Sequence, residues 1–335
     1  MAREVPIASA GHYASEPAFR DHVMHACQPV VLKGAGRDWP LLDPGGPSIF
    51  EHMLTFDTGR EAEMFVGPPG IGQRYYYDDH LSGFNFARES LPFAEGLERI
   101  ARTAEEEGAD SLYMGSLPSE RYLPGIEALT PVPFIPDSVR PRFWVGHASR
   151  VACHYDTQDN LAFAAKGRRR FTLFPPQAIG DLYVGPIDVT MAGQPVALAV
   201  ESEPGDPRFE RFDAIRDQAL VAELQPGDAI YIPKLWWHKV EAIDRLNVLV
   251  NFWWDGFAAG PDQPFAAMML ALVAIAERPP AERAAWRAWF DHYVFRQDGH
   301  PLAHLPPDRH GILGPLKEGN YQRIRMAAMR MLRGS

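Results

Sequence analysis

The chain has 335 residues, of which 46% are hydrophobic and 23% charged, proportions that are typical of globular proteins and exclude disorder throughout the chain. The formal net charge of −10 argues against general binding of nucleic acid or of an anionic membrane surface, since both present negative charge. With only two cysteines, a disulfide framework and a cysteine-based zinc site are excluded, and we expect a reducing compartment.

The first part of the chain is predicted to contain short helices and strands. We predict a leader over residues 1–28 with a short helix at 16–26, followed by a β-rich run, PVVLKGAG. Two strands are predicted around a Pro-Pro-Gly turn at residues 63–77. Apolar residues at helical spacing predict a helix between residues 92 and 108, and a short strand follows at 111–115. The N-terminus lacks the apolar core of a signal peptide, so we expect a cytoplasmic protein.

Residues 142–254 are rich in short segments of β-branched and aromatic residues separated by turn residues. Such a succession predicts a β-sandwich or barrel. An irregular insertion is predicted at residues 185–222, and helices are predicted after residue 264. The most apolar stretch, residues 265–276, is too short for a membrane span, which needs about 20 residues. The chain is therefore predicted to be mainly β, with helical flanks.

A histidine and an aspartate in the segment HYD are candidates for a metal site. His154 and Asp156 are two residues apart, so on a strand they point to the same face. Two histidines and one carboxylate on one face of a metal form the facial triad of non-haem Fe(II) oxygenases. The alternative is a surface histidine beside an aspartate, because one such pair is expected by chance in a chain with 12 histidines.

A second histidine follows a turn and a buried strand. The turn is Pro-Gly-Asp at residues 226–228, Pro233 ends the strand, and His238 begins the next strand. This order resembles the second cupin motif, although Leu235 replaces its usual second glycine. The alternative is a core histidine whose hydrogen bonds are satisfied.

A basic segment, KGRRRFTLFPP, carries a candidate anion-binding residue. Arg169, Phe171 and Leu173 share strand parity, so Arg169 faces the core if the two apolar residues do. A buried cation is costly without an anionic partner, and a guanidinium binds a carboxylate through two N–H groups. A co-substrate carboxylate would be such a partner. The alternative is a basic solvated turn, which describes Arg168.

Taken together, HYDTQDN, KGRRRFTLFPP, GDAIYIPKLWWHKVE and VNFWW resemble the cupin-like branch of the JmjC-type 2-oxoglutarate oxygenases, the group that includes the asparaginyl hydroxylase of hypoxia-inducible factor and its bacterial relatives. The order and spacing of these motifs agree with the family. The resemblance implies a double-stranded β-helix, the cupin or JmjC jelly roll, as a catalytic domain over residues 29–256. A C-terminal helical region over residues 257–335 would then be a dimerisation element, with a cap over the barrel end as the alternative.

The resemblance also implies roles for individual residues. His154, Asp156 and His238 would hold Fe(II). Arg169 and Tyr113 would bind the distal carboxylate of 2-oxoglutarate. The rest of the co-substrate pocket would be lined by Asn160, Asn251 and Trp253. The implied reaction is hydroxylation of a C–H bond with release of succinate and CO2.

Two positions depart from the family pattern. Arg169 stands where the family usually has a lysine, and we expect it to shift the co-substrate or to change its affinity. Val151 stands three residues before the first ligand, where a threonine is common, and this loses one hydrogen bond, worth about 1 kcal/mol. Neither departure removes iron binding.

Other functions and several substrates stay open at this point. A cupin metalloenzyme that does not use 2-oxoglutarate and a non-catalytic binding or regulatory module are the alternatives to the oxygenase. The substrate would be a protein or peptide side chain or a small molecule, and nucleic acid is disfavoured by the charge. Four aromatic residues are candidates for a substrate groove, with packing against the barrel as the alternative: Tyr75, Tyr77, Phe84 and Phe86.

Overall fold

The structure is a computed structural model that describes residues 3–188, 190 and 193–334. The chain divides into two compact units, Met1–Gly256 and Phe257–Ser335. No helix among the described residues is both long enough and apolar enough to cross a membrane. The division into a leader, a catalytic domain and a dimerisation element stays a prediction.

The described part of the first unit contains fourteen strands. They are β1 (Arg3–Glu4), β2 (Val30–Leu32), β3 (Glu61–Gly67), β4 (Arg74–Tyr75), β5 (Ala87–Pro92), β6 (Ser111–Pro118), β7 (Pro141–Gly146), β8 (Ser149–His154), β9 (Asp159–Lys166), β10 (Arg169–Phe174), β11 (Leu220–Leu224), β12 (Ala229–Ile232), β13 (Trp237–Ala242) and β14 (Asn247–Trp254).

These strands form two sheets within the described residues. One sheet has the order β1-β11-β10-β13-β8-β4, and the other has the order β2-β12-β9-β14-β7-β6-β3-β5. Neighbouring strands are antiparallel, except that β1 pairs with β11 and β4 pairs with β8 in parallel. The prediction of a mainly β jelly roll with helical flanks is confirmed.

Strand β10 shows why the sequence forms two packed sheets. Arg169, Phe171 and Leu173 are buried, whereas Arg170 between them is exposed. This alternation is typical of a strand with one face on a core. Phe171 and Leu173 belong to a hydrophobic cluster that also contains Ala164 of β9, a strand of the other sheet. The two sheets therefore bury a common core, and Arg169 shares the face of β10 that is turned toward it.

The described helices are short. They are α1 (Glu16–His22), α2 (Ile49–Thr55), α3 (Phe93–Thr103), α4 (Ser119–Tyr122), α5 (Glu210–Asp213), α6 (Pro264–Ile275), α7 (Pro280–Phe290) and α8 (Asn320–Leu332). Helix α1 ends four residues before the predicted end at residue 26, and a 3-10 turn at Met24–Ala26 follows. Cys27 then adopts a φ of 47°, in the left-handed region, and this conformation cannot continue the helix.

The insertion predicted at residues 185–222 covers one face of the six-stranded sheet. Its described residues form helix α5, short 3-10 turns and the beginning of β11. Ala199 and Phe212 of the insertion pack in one hydrophobic cluster with Cys153 of β8 and Trp237 of β13. Cys153 and Trp237 directly precede the two histidines of the candidate site in the chain. The insertion therefore buries the face of β8 and β13 on which Cys153 and Trp237 lie.

Candidate metal centre

Three candidate metal ligands lie together at one end of strands β8 and β13. His154 is the last residue of β8, and it pairs directly with His238 of β13. Asp156 follows two residues after β8 and brings a carboxylate oxygen, Oδ2, to 3.6 Å from Nε2 of His238. Each of the three residues offers one ligand atom, and these atoms lie within 4.8 Å of one another. This spacing suits a single metal ion held by two nitrogens and one oxygen.

Backbone hydrogen bonds orient both imidazoles. Nδ1 of His154 donates to the carbonyl oxygen of Ala152 at 2.8 Å, and Nδ1 of His238 donates to the carbonyl oxygen of Trp236 at 2.9 Å. A carbonyl oxygen only accepts, so each Nδ1 carries the hydrogen. With the hydrogen on Nδ1, Nε2 is the ring atom that would bind a metal. In both histidines, Nδ1 donates a hydrogen bond to the carbonyl oxygen of the residue two positions earlier.

The electrostatic surroundings keep His238 neutral. Burial, and after it the neighbouring His154, lower the pKa of His238 to about 4, while Asp156 acts in the opposite direction. The residue is 2% exposed. At neutral pH His238 therefore carries a free lone pair, which is the form that coordinates a metal.

Arg169 lies buried in the cavity beside the candidate metal site. Arg169 is 1% exposed, and burial lowers the pKa of its guanidinium to about 10, with Tyr113 acting in the opposite direction. Burial likewise raises the pKa of Tyr113 above its usual range, although Arg169 opposes the shift. Nε of Arg169 is buried and has no hydrogen-bond partner in the described structure. A buried guanidinium with an unmet donor is suited to bind a carboxylate.

The cavity brings together nine of the twelve residues that the sequence analysis singled out. Its wall includes His154, Asp156, His238, Arg169, Tyr113, Asn160, Asn251, Trp253 and Tyr75. Nε1 of Trp253 is a second buried donor without a partner in the described structure. The residues present fit both implied groups: two imidazoles and a carboxylate fit a ferrous ion, and the unpartnered donors fit the anionic 2-oxoglutarate.

The other three predicted residues do not line this cavity. Tyr77 stacks on Phe84 with ring centroids 5.8 Å apart, and Phe84 stacks on Phe86 at 5.3 Å. Phe86 also stacks on Phe65 at 4.6 Å, and Phe65 reaches the cavity wall. These rings pack against one another, which is in line with the alternative in the sequence analysis, packing against the barrel. A substrate groove formed by them stays a prediction.

Sequence reasoning missed several residues of the cavity wall. Val196 and Gln194 come from the irregular insertion, and Oε1 of Gln194 is buried without a hydrogen-bond partner in the described structure. Trp144 of β7 and Phe65 of β3 also reach the wall. Trp144 and Phe65 lay in predicted β-rich segments, but nothing in their local pattern indicated which face they would present. The insertion has no periodicity from which the position of Gln194 could be read.

Comparison with known proteins identifies the family to which the chain is similar. A family model described as a cupin-like domain matches residues 16–260. Lysine-specific demethylase JMJ31 of Arabidopsis thaliana is 36% identical over 114 residues, which are 34% of this chain and 20% of that protein. HSPB1-associated protein 1 of Homo sapiens is 31% identical over 147 residues, which are 42% of this chain and 29% of that protein.

A third relative is matched over most of its length. Bifunctional peptidase and (3S)-lysyl hydroxylase JMJD7 of Homo sapiens is 27% identical over 290 residues, which are 76% of this chain and 87% of that protein. By contrast, the chain spans less than a third of the length of the demethylase and of HSPB1-associated protein 1.

Proposed function

This chain belongs to the cupin-like domain family and is of the JmjC type, and on that premise we propose that it is an Fe(II)- and 2-oxoglutarate-dependent dioxygenase that hydroxylates a C–H bond. One observation carries the proposal. A His-Asp-His cluster with ligand atoms within 4.8 Å of one another shares its cavity with a buried arginine that has an unmet donor. A metalloenzyme that binds no anionic substrate or co-substrate would leave that donor unexplained.

In the proposed mechanism, the metal ligands and the residues that bind the co-substrate have separate roles. His154, Asp156 and His238 hold the metal, and their single negative charge leaves the site suited to an anionic co-substrate. When bound, Fe(II) and 2-oxoglutarate would supply, with O2 as the oxidant, an oxidation that releases CO2 and places one oxygen atom in succinate and the other in the hydroxyl group of the substrate. Arg169 binds the distal carboxylate with the help of the Tyr113 hydroxyl. This pairing also offsets the cost of keeping the guanidinium buried.

The apolar part of the wall keeps water away from the reaction. Phe171, Val240 and Leu249 lie on strands that carry or adjoin the polar residues, and they line the same cavity. A dry cavity strengthens the electrostatic attraction between Arg169 and a carboxylate. It also limits side reactions of oxidising species.

The substrate that we propose is a protein or peptide side chain or a small molecule. The names of two relatives, a lysyl hydroxylase and a lysine-specific demethylase, support a protein side chain. The net charge of −10 speaks against nucleic acid. We further propose a homodimer formed through the C-terminal helices, and a cytoplasmic location is the expectation that goes with few cysteines.

The test is spectroscopic and stoichiometric. Under anaerobic conditions Fe(II) and 2-oxoglutarate together should produce a weak visible charge-transfer band in the wild-type protein. His154→Ala should abolish the band, whereas His304→Ala, at an exposed position of the second unit, should keep it. In air, the wild type should form succinate from 2-oxoglutarate without added substrate. A wild-type protein that binds no iron would refute the proposal.

A further inference from the structure

A continuous row of hydrogen bonds leads from the cavity wall to Asp156. Nε1 of Trp144 donates to Oδ1 of Asn251 at 2.8 Å. Nδ2 of Asn251 donates to Oδ1 of Asn160 at 3.2 Å, and Nδ2 of Asn160 donates to Oδ2 of Asp156 at 3.1 Å. The four residues, called the amide row below, end on the carboxylate of the candidate metal site.

The amide row has one direction because its first member can only donate. An indole N–H has no acceptor capacity, so Asn251 must present its oxygen to Trp144. Its NH2 group then faces Asn160, which must accept with its oxygen and donate with its own NH2 group. The Asp156 carboxylate at the other end can only accept, so it requires the same direction of both amides. Without the indole N–H, Oδ1 of Asn251 would lose its donor, and a buried acceptor without a donor is costly.

The sheet holds the members of the amide row side by side. Trp144 lies on β7, Asn251 on β14 and Asn160 on β9, and these strands are adjacent in the eight-stranded sheet. Asn160 is 6% exposed and Asn251 is 1% exposed. A buried amide without partners is costly, so a reversal of either amide is disfavoured while the row is intact.

The orientation of the Asp156 carboxylate depends on a side chain, whereas the orientation of the two imidazoles depends on the backbone. The imidazoles are oriented by the carbonyl oxygens of Ala152 and Trp236, and a side-chain substitution does not remove a carbonyl. For Asp156, the backbone is held by a bond from the N–H of Leu235 to its carbonyl oxygen at 2.8 Å. The carboxylate itself receives its hydrogen bond from Asn160.

We propose that Trp144 is a positioning residue: through Asn251 and Asn160, its indole N–H holds the Asp156 carboxylate in the orientation that faces His238. The inference rests on the proposed function, since it assumes that Asp156 binds a metal. It goes further by assigning a role to a residue that neither coordinates the metal nor carries a charge. Outer hydrogen-bond partners of a metal ligand commonly change metal affinity by about 10- to 100-fold.

A packing role for Trp144 is the competing explanation. Its ring lies 6.1 Å from that of Tyr113 and 5.8 Å from that of Trp253, measured between centroids. Trp144→Phe keeps an aromatic ring at this place and removes the N–H. The experiment therefore compares Trp144→Phe, Asn160→Ala and the double variant. Trp289→Phe, at an exposed position of the second unit, is the matched control.

The readout is the affinity of the metal-free full chain for Co(II), measured by calorimetry and by the visible spectrum of the bound ion. We expect Trp144→Phe to weaken Co(II) binding by about tenfold and Trp289→Phe to leave it unchanged. In the Asn160→Ala background, Trp144→Phe should have no further effect, because the row is already broken. If Trp144→Phe does not fold, Asn251→Asp replaces it, since an aspartate still accepts from Trp144 but cannot donate to Asn160.

The outcomes are distinct. Equal Co(II) affinity of wild type and Trp144→Phe overturns the inference and leaves the proposed function standing. An equal loss with and without Asn160 also overturns it, because Trp144 then acts by packing. A wild-type chain that binds no Co(II) overturns both the inference and the proposed function.

Discussion

His154 and His238 occupy directly paired positions on β8 and β13, and their ring centroids lie 4.4 Å apart. The register of the two strands thus sets the distance between the two imidazoles. The pairing changes immediately afterwards, with a register shift between His238 and Val240. The candidate metal site therefore lies at the edge of regular pairing, where Asp156 can turn in from the chain that follows β8.

Metal binding should stabilise the protein without refolding it, because the ligand atoms are already close together. With Mn(II) at 100 times its dissociation constant, the free energy of unfolding should rise by about 2.7 kcal/mol. Differential scanning calorimetry with and without Mn(II) measures the effect. His238→Ala should show no such rise. An equal rise in this variant would mean that Mn(II) binds elsewhere.

The metal-free protein should lose stability between about pH 6.5 and pH 4. His238 has a pKa of about 4 in the folded protein and about 6.5 when unfolded, so acid protonates the unfolded chain first. The free energy of unfolding should fall by roughly 3 kcal/mol across this window and level off below it. Urea unfolding at a series of pH values measures the change.

His238→Gln serves as the comparison for this pH dependence. Without a titrating group at the position, the variant should show a smaller decrease over the same window. A pH dependence equal to that of the wild type would contradict neutral burial of His238.

Arg169→Met should separate stability from function. The substitution removes a buried cation, so the urea midpoint should stay the same or rise. Two charge-assisted hydrogen bonds to the co-substrate would be lost, and 2-oxoglutarate affinity should fall by about 100-fold or more. Isothermal titration measures that affinity. Arg170→Met, at the exposed neighbour that pairs with Glu223, should leave it unchanged. A loss of equal size in both variants would contradict the assignment.

Tyr113→Phe should raise the KM for 2-oxoglutarate by about tenfold, because a hydrogen bond to a charged group is lost. Tyr75→Phe is the matched control in the same cavity. The Tyr75 hydroxyl already donates to the carbonyl oxygen of Ser111 at 2.8 Å, so its removal should cost about 1 kcal/mol of stability and leave the KM unchanged. Uncoupled succinate formation gives both KM values. An unchanged KM in Tyr113→Phe would remove this residue from the co-substrate site.

The proposed dimer can be tested on the second unit. Helices α6 and α7 jointly line an apolar groove with Leu272, Ile275, Trp286 and Phe290 among its residues. Light scattering should give twice the mass of one chain for the wild type and the mass of one chain for Leu272→Glu, since a buried unpaired carboxylate is costly. Ile179→Glu, an exposed position of the first unit, should stay dimeric. A wild-type mass of one chain would refute the dimer.

Much of the fold and part of the candidate site could be predicted from local patterns. Strand parity predicted that His154 and Asp156 share one site. They do, but β8 ends at His154, so Asp156 reaches the site from the chain that follows the strand. Arg169 was predicted to be buried from the same parity, and it is 1% exposed. The β-rich segments between residues 142 and 254 predicted the strands, because β-branched and aromatic side chains suit a pleated, half-buried surface.

Parity did not decide which of the nearby aromatic residues reach the cavity. Tyr75 and Tyr77 are two residues apart and were predicted to share a groove. Tyr75 belongs to β4 and lines the cavity, but β4 ends there, and Tyr77 packs against Phe84 instead. The alternation of side chains between two faces applies only within a strand. Strand β4 has two residues, and where so short a strand ends depends on its pairing with β8.

By itself, the sequence determined the residue types, their order and a succession of strand segments, and these predict a β-sandwich or barrel. The cupin jelly roll and the His-Asp-His site were predicted from the resemblance of its motifs to a known family. The tertiary structure alone decided which strands became neighbours. Trp144, Asn251 and Asn160 are joined only because β7, β14 and β9 lie side by side, although Asn160 and Asn251 are 91 residues apart in the chain. Contacts of this kind depend on non-local strand pairing, for which a local pattern carries no signal.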